Sequence, residues 1–220
     1  SGNKNLNLMT MDLYEIGYRY MISNNLHAAF QINYSTAKNY TVISILDSIV
    51  PNPLSPYGIT QYFSSSNLSE NPSQISAGIS IKYIPSAKLQ IRPYITYIKS
   101  TIKDYDFYYD NRTKDSLITI ENEWTPEFFG GLYVNYKPIN NLNINLNSYF
   151  YTGGKFNYLL NNNFEIENQI ILNIRVSYTM SRYFTLFANI RNLNFSKNTI
   201  QFAYADKIKP LYFGGLQINF

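Results

Sequence analysis

His27 is the single histidine in this chain of 220 residues, and cysteine is absent. Disulfides, thiolate metal sites and cysteine nucleophiles are thereby excluded, and so is any site built on two histidine ligands. His27 sits beside a short turn and reads as a structural residue. Asp104, Asp106, Asp110, Asp115, Glu121 and Glu123 gather in one long connection. They lack the alternating Asp spacing with glycine that a calcium loop requires, so a solvated loop is the plainer reading. Gly130-Gly131 and Gly214-Gly215 fall inside strand patterns and are no phosphate loops; they suit strand curvature or, in a barrel, the close approach of what fills its lumen. No catalytic residue, metal or cofactor is expected, and the chain reads as a non-enzyme.

Binding chemistry is better represented. Glu15 shares a strand face with Gly17 and Arg19. Lys82, Arg92, Lys137, Arg175 and Arg191 all fall on polar strand faces and form a basic set. Aromatic rings crowd the connections: Tyr57, Tyr62, Phe63, Tyr105, Phe107, Tyr108, Tyr109, Trp124, Tyr158 and Tyr204. Such rings stack on chelates, corrinoids, haem or sugars, and they equally pack on one another to hold long loops.

These residues need a scaffold, and composition narrows it. Apolar residues make up 45% and charged residues 15%, and the net charge of +4 comes from scattered cations rather than a basic groove. Nucleic acid is therefore not an expected partner. The length suits one domain or two small ones. No run approaches the roughly 18 apolar residues of a membrane helix. Tyrosine is the outlier, with 22 Tyr and 14 Phe against one Trp. A phenol buries its ring and wets its hydroxyl, which suits a β-protein at a boundary between apolar and aqueous surroundings.

Alternation of period two runs through nearly the whole chain. Ile170, Leu172, Ile174, Val176 and Tyr178 oppose Asn173, Arg175 and Ser177; Leu142, Ile144, Leu146 and Phe150 oppose Asn143, Asn145 and Asn147. The same reading gives strands at 14–20, 26–34, 75–83, 89–97 (interrupted by Pro93), 128–136, 184–191 and 211–220, about nine in all, with no helix. Short turns near Asn24, Ser86, Asn140 and Ser181 alternate with long irregular connections over 37–72, 103–123, 153–165 and 195–209. Unlike ends of this kind mark an antiparallel up-and-down transmembrane β-barrel, with short turns on the periplasmic side and long loops outside. Tyr20, Tyr83, Tyr136 and Tyr178 would form an aromatic girdle near the short turns. A soluble sandwich or small barrel with its apolar face turned inward has the same periodicity, and alternation alone does not separate the two.

The C-terminus carries the sharpest pattern. Tyr212, Leu216, Ile218 and Phe220 share one face and Phe220 is the last residue, which resembles the assembly signal of bacterial outer-membrane proteins. Three blocks extend the likeness: GNKNLNLMTMDLYEIGYRY (Gly2 to Tyr20), FTLFANIRNLNFSKN (Phe184 to Asn198) and YFGGLQINF (Tyr212 to Phe220). Together they resemble the C-terminal part of the TonB-dependent outer-membrane receptors. Asn194 stands where that family prefers Phe, and the Pro-Glu that usually follows the first Leu is missing.

The resemblance implies residues 1–220 as the C-terminal section of a barrel of about 22 strands, with the plug domain and earlier strands absent from this chain. An odd number of strands beginning within a family motif agrees with a section rather than a whole. Implied partners are outer-membrane lipid, the plug and missing strands of the same protein, the TonB complex through the plug, and the barrel-assembly machinery. The implied role is uptake of a scarce nutrient across the outer membrane, of siderophore, haem, corrinoid or oligosaccharide class. Glu15 and Arg19 become candidate plug contacts, Glu15 either holding plug arginines or pairing with Arg19 or across strands. The basic set becomes lumen-facing, against an acidic plug surface or anionic cargo. The alternative is a self-contained small outer-membrane barrel acting as an adhesin or structural protein.

Overall fold

The computed structural model describes residues 4–51, 54, 59–105, 118–123, 125–158, 162–194 and 208–218. They form strands β1 (Thr10–Ser23), β2 (Leu26–Lys38), β3 (Thr41–Pro51), β4 (Ile59–Asn67), β5 (Ser73–Ser86), β6 (Leu89–Tyr105), β7 (Ile118–Glu121), β8 (Phe128–Ile139), β9 (Leu142–Tyr151), β10 (Gly154–Tyr158), β11 (Asn162–Ile166), β12 (Gln169–Thr179), β13 (Phe184–Asn194) and β14 (Leu211–Ile218). One nine-strand meander runs β1-β2-β5-β6-β8-β9-β12-β13-β14, and β7 pairs with β6 beside this path. Strands β3 and β4 pair as a separate hairpin, as do β10 and β11. Three of the long connections expected to be irregular therefore carry β-structure, the β3–β4 hairpin, the β10–β11 hairpin and β7.

The chain divides into two compact units, one of Ser1–Tyr14, Tyr34–Ile75 and Ser100–Glu121, the other of Glu15–Asn33, Ser76–Lys99 and Asn122–Phe220. In the first, asparagines tie the base of the β3–β4 hairpin. Asn67 Nδ2 donates to Asn39 O at 2.7 Å, Asn39 Nδ2 to Leu8 O at 3.1 Å, and the Asn7 backbone N–H to Asn67 Oδ1 at 2.6 Å. Asn39 adopts a φ of 56°, a left-handed conformation that asparagine tolerates better than most residues.

The second unit holds the short turns, and serine closes three of them. Ser23 Oγ accepts from the Asn25 backbone N–H, Ser86 Oγ from that of Lys88, and Ser181 Oγ from that of Tyr183, at 3.2–3.3 Å. A hydroxyl that accepts from the N–H two residues on imitates a backbone turn and reverses the chain within a few residues.

Register decides the faces. One cross-strand row reads Ile91, Val134, Leu146, Ile174, Ile190 and Tyr212 across β6, β8, β9, β12, β13 and β14; the adjacent row reads Gln90, Asn135, Asn145, Arg175, Asn189 and Phe213. The rows point to opposite sides of the sheet. Burial then runs opposite to a soluble protein: on β12 Ile170 is 50% exposed while the adjacent Gln169 is fully buried, and on β13 Leu186 is 46% exposed while Asn189 is 8% exposed. Among the described residues the buried apolar side chains are Ile166 and Ile171 alone. Among the described residues no layer packs on the apolar face, and so none of them builds the core that the inward-facing soluble alternative needs.

Arg at Ile174, in the middle of the apolar row, should destabilise the intact protein in bilayers by about 2–4 kcal/mol if the site lies near the midplane. Denaturant titration of the vesicle-inserted protein measures this. Spin labels at Ile170, Ile174 and Val176 should meet a lipid-soluble quencher, and labels at Arg175 and Ser177 should be shielded from it.

Candidate functional site

The polar face of β6, β8, β9, β12, β13 and β14 carries arginines laid over rings of the neighbouring strand. The Arg92 guanidinium lies 5.4 Å from the Tyr133 ring centre, Arg175 lies 4.8 Å from Phe187, and Arg191 lies 5.1 Å from Phe213. Arg92 and Tyr133 are direct cross-strand partners, whereas Arg175 and Arg191 reach diagonally. Each contact is worth roughly 0.5–1 kcal/mol at a wet site and fixes a cation that would otherwise sweep freely. Three of the five basic residues placed on polar strand faces by alternation thus share one surface.

Two glycines make room for rings on the same face. Gly131 pairs with Tyr94, and a Cβ there would lie 2.8 Å from the Tyr94 ring and collide with the Ser148 carbonyl. Gly215 pairs with Phe187, and a Cβ there would lie 2.7 Å from its ring. The rings cover the bare glycine backbone, a cross-strand device that pins register. The space expected for curvature or for what fills a lumen is thus taken by the sheet's own aromatics.

A register shift between Leu172 and Ile174 on β12 lets β13 carry an extra residue at Asn192, whose φ is 57°. Asn173 Oδ1 accepts from the Asn192 backbone N–H at 2.9 Å and closes the bulge. Beyond it the faces exchange, so that Leu193 joins the apolar side and Asn194 the polar one. Asn194 Nδ2 donates to Gln169 Oε1, and Gln169 Nε2 donates to Glu167 O at 3.2 Å. A polar residue at 194 is therefore required here: a Phe would face a buried amide.

Toward the short turns, Arg19, His27, Ala29, Lys82, Arg92 and Tyr94 border an open pocket of about 500 Å³. His27 contributes a wall, with no acid beside it. Glu15 and Arg19 stand on β1, which is exposed along its whole length. Four residues apart on one strand they are about 13 Å apart along the backbone, and among the described residues neither forms an ion pair. Lys137 is exposed beside the irregularity that ends the β8–β9 pairing.

Of the aromatic candidates, Tyr62 and Tyr158 lie on the hairpin strands β4 and β10, and Tyr105 ends β6. Tyr57, Tyr108, Tyr109 and Trp124 fall outside the described residues, as does Phe220, while Tyr212, Leu216 and Ile218 share the exposed apolar face of β14. No cluster of His, Asp and Glu that could hold a metal ion occurs among the described residues. The aromatic partners Tyr133, Phe187 and Phe213 were not singled out by sequence reasoning, although their alternation with Arg and Asn on polar positions was a usable signal.

Substituting Gly215 by Ala should destabilise the folded protein by about 1–3 kcal/mol. The penalty should shrink when Phe187 is also replaced by Ala, because the clash is with that ring. A double-mutant cycle by denaturant titration reads the coupling.

No protein-family model matches the chain, and no curated protein matches its sequence. Solved structures do match. The pyoverdine outer-membrane receptor FpvA of Pseudomonas aeruginosa aligns with a TM-score of 0.69 at 15% identity, over 100% of this chain and 31% of its own. The ferric-catecholate import receptor Fiu of Escherichia coli gives 0.66 at 14%, over 99% and 29%. The siderophore receptor PirA of Acinetobacter baumannii gives 0.63 at 14%, over 96% and 32%. The chain spans about a third of the length of these receptors. Its nine-strand meander, with one exposed apolar face and alternating short and long connections, has the fold of a section of a TonB-dependent outer-membrane receptor barrel.

Proposed function

We propose that this chain is the C-terminal section of the barrel of a TonB-dependent receptor, resident in the outer membrane and taking up a scarce nutrient. The observation that carries the reading is the inverted burial: an exposed apolar face matched by a crowded polar one. The neighbours' names, which include a ferric-catecholate importer and receptors for siderophores, support an iron(III) chelate as the cargo, ahead of haem, corrinoids or oligosaccharides. The barrel performs no covalent chemistry. It presents loops, encloses a plug and is energised through that plug by the TonB complex.

The candidate residues divide by position. Lys82, Arg92, Lys137, Arg175 and Arg191 line the lumen, and Glu15 and Arg19 meet the plug. Aromatic residues of the outer connections, Tyr57, Tyr62, Tyr105, Tyr108, Tyr109, Trp124 and Tyr158, contact the ligand. Buried oxygens of Asn135, Asn143 and Tyr151 have no partner among the described residues. Buried polar groups require one, which supports a polar chain or water over this face. Strands β1 and β14 each have a single neighbour in the sheet. Open edges in lipid cost several kcal/mol per unpaired group, which favours pairing with further strands over the self-contained small barrel.

Disrupting the gene should abolish uptake of an iron(III)–siderophore complex during iron-limited growth. Unchanged uptake of iron chelates, with loss of uptake of haem, a corrinoid or an oligosaccharide, would reassign the cargo. A structure of the intact product in which β1 pairs directly with β14 would instead favour the small-barrel reading.

Deleting Phe220, which continues the exposed series Tyr212, Leu216 and Ile218, should lower the amount of protein reaching the outer membrane. The melting temperature of the assembled fraction should stay unchanged. Equal outer-membrane levels would remove the role of this residue as an assembly signal.

A further inference from the structure

The 14 acidic residues are distributed unevenly along the strand direction. None lies in or beside a short turn; the nearest along the chain is Glu15, well upstream of Asn24. The same end carries Lys82, Lys88, Lys137 and Arg182, all exposed. Backbone hydrogen bonds join the four short turns into one continuous rim. Ile84 N donates to Asn25 O at 2.8 Å, Lys137 N to Lys88 O at 2.7 Å, and Thr179 N to Asn141 O at 2.8 Å. Lys88 Nζ also reaches Pro138 O at 3.4 Å, and the Arg182 guanidinium lies 4.5 Å from the Tyr183 ring centre. The cations therefore stand on a fixed frame. The apolar side of the same rim exposes Tyr20, Tyr83, Tyr136, Ile139, Tyr178 and Met180.

We infer that this rim binds the anionic headgroups of phospholipids in the leaflet that surrounds the short turns, with Lys88 and Arg182 as the principal phosphodiester contacts. The inference rests on the outer-membrane reading above and adds a lipid preference to it. Cations immediately beside exposed Tyr, Ile and Met match a surface that is apolar below and negative above. An acidic soluble protein would meet the charges but leave those rings in water, and turns of a few residues offer it no groove. Among the described residues no Asp or Glu side chain stands at this end, so no acidic side chain offsets the attraction.

The test uses the intact gene product, purified folded and examined by native mass spectrometry with added phosphatidylglycerol or phosphatidylcholine. Phosphatidylglycerol should be retained preferentially, and the preference should fall as ionic strength rises. In the Lys88→Gln/Arg182→Gln variant it should fall by on the order of tenfold while the heat-modifiable mobility of a folded barrel persists. Equal retention of the two lipids by the native protein overturns the inference, and the salt titration of that protein decides the matter even if the variant fails to fold. A preference unchanged in a folded variant overturns it too. Capture of an acidic periplasmic protein through Lys88 and Arg182, without lipid selectivity, would assign the rim to a protein partner and also overturn it. Failure of the native protein to form a heat-modifiable, membrane-inserted barrel in either lipid would sink the outer-membrane reading itself, a result distinct from loss of lipid preference.

Discussion

Every strand carries N–H and C=O groups along both edges, and only a neighbour on each side satisfies them. In the nine-strand meander the seven interior strands meet this demand by pairing in chain order, so sheet order follows sequence order with hairpins set aside. That ladder fixes register, and register fixes every side chain to one of two faces. A slip of one residue would exchange the faces entirely. The chain tolerates such an exchange at the bulge of β13, where Asn173 caps the displaced Asn192 N–H and Asn194, paired with Ile171, donates to the Gln169 side chain. Pro93 removes one N–H from a strand paired on both sides, yet β6 continues through it for its full length.

Face assignment then determines energetics. Among the described residues nothing packs against the apolar rows, and a water-exposed sheet of Ile, Leu, Val and Tyr of this extent would aggregate. Lipid is the solvent that such a face suits. The polar face solves the opposite problem, because long cations and amides must be held without a hydrophobic core. It does so with guanidinium groups over rings, rings over glycines, and amides lined up across strands. Surface ion pairing contributes little by comparison: Lys155 and Glu165 on the β10–β11 hairpin approach to 3.7 Å but are largely exposed. The result is a wall with a chemically varied polar surface.

Charge and aromatic placement add a direction along the strands. Long connections carry most of the acids and of the loop aromatics, short turns carry cations and stand beside exposed tyrosines, and serine hydroxyls keep those turns short. The two ends of the sheet thereby meet different surroundings. A protein that must stand in one orientation between two unlike compartments needs such a difference.

Much of this was legible in the residue order, because period-two alternation is a local property of a strand. Strands β9 and β12 have the bounds that alternation assigns them, each framed by apolar positions and turn residues. Strand β6 runs well past its readable part, since Lys99 to Tyr105 alternates poorly and is held by β7 and its other neighbours rather than by its own pattern. The β3–β4 hairpin is not legible in the residue order for a similar reason: Ser64, Ser65 and Ser66 carry no alternation, and it is their pairing with Ser44, Ile43 and Val42 that makes them a strand. The rings that cover Gly131 and Gly215, and those beneath Arg175 and Arg191, depend on which residue of the next strand lies alongside, a property of register that no single strand contains. Residue order by itself determined that this chain is a meander of strands with one apolar and one polar face. Tertiary structure alone decided which face is crowded and which is bare, because alternation is symmetric between the two sides of a sheet and burial is not.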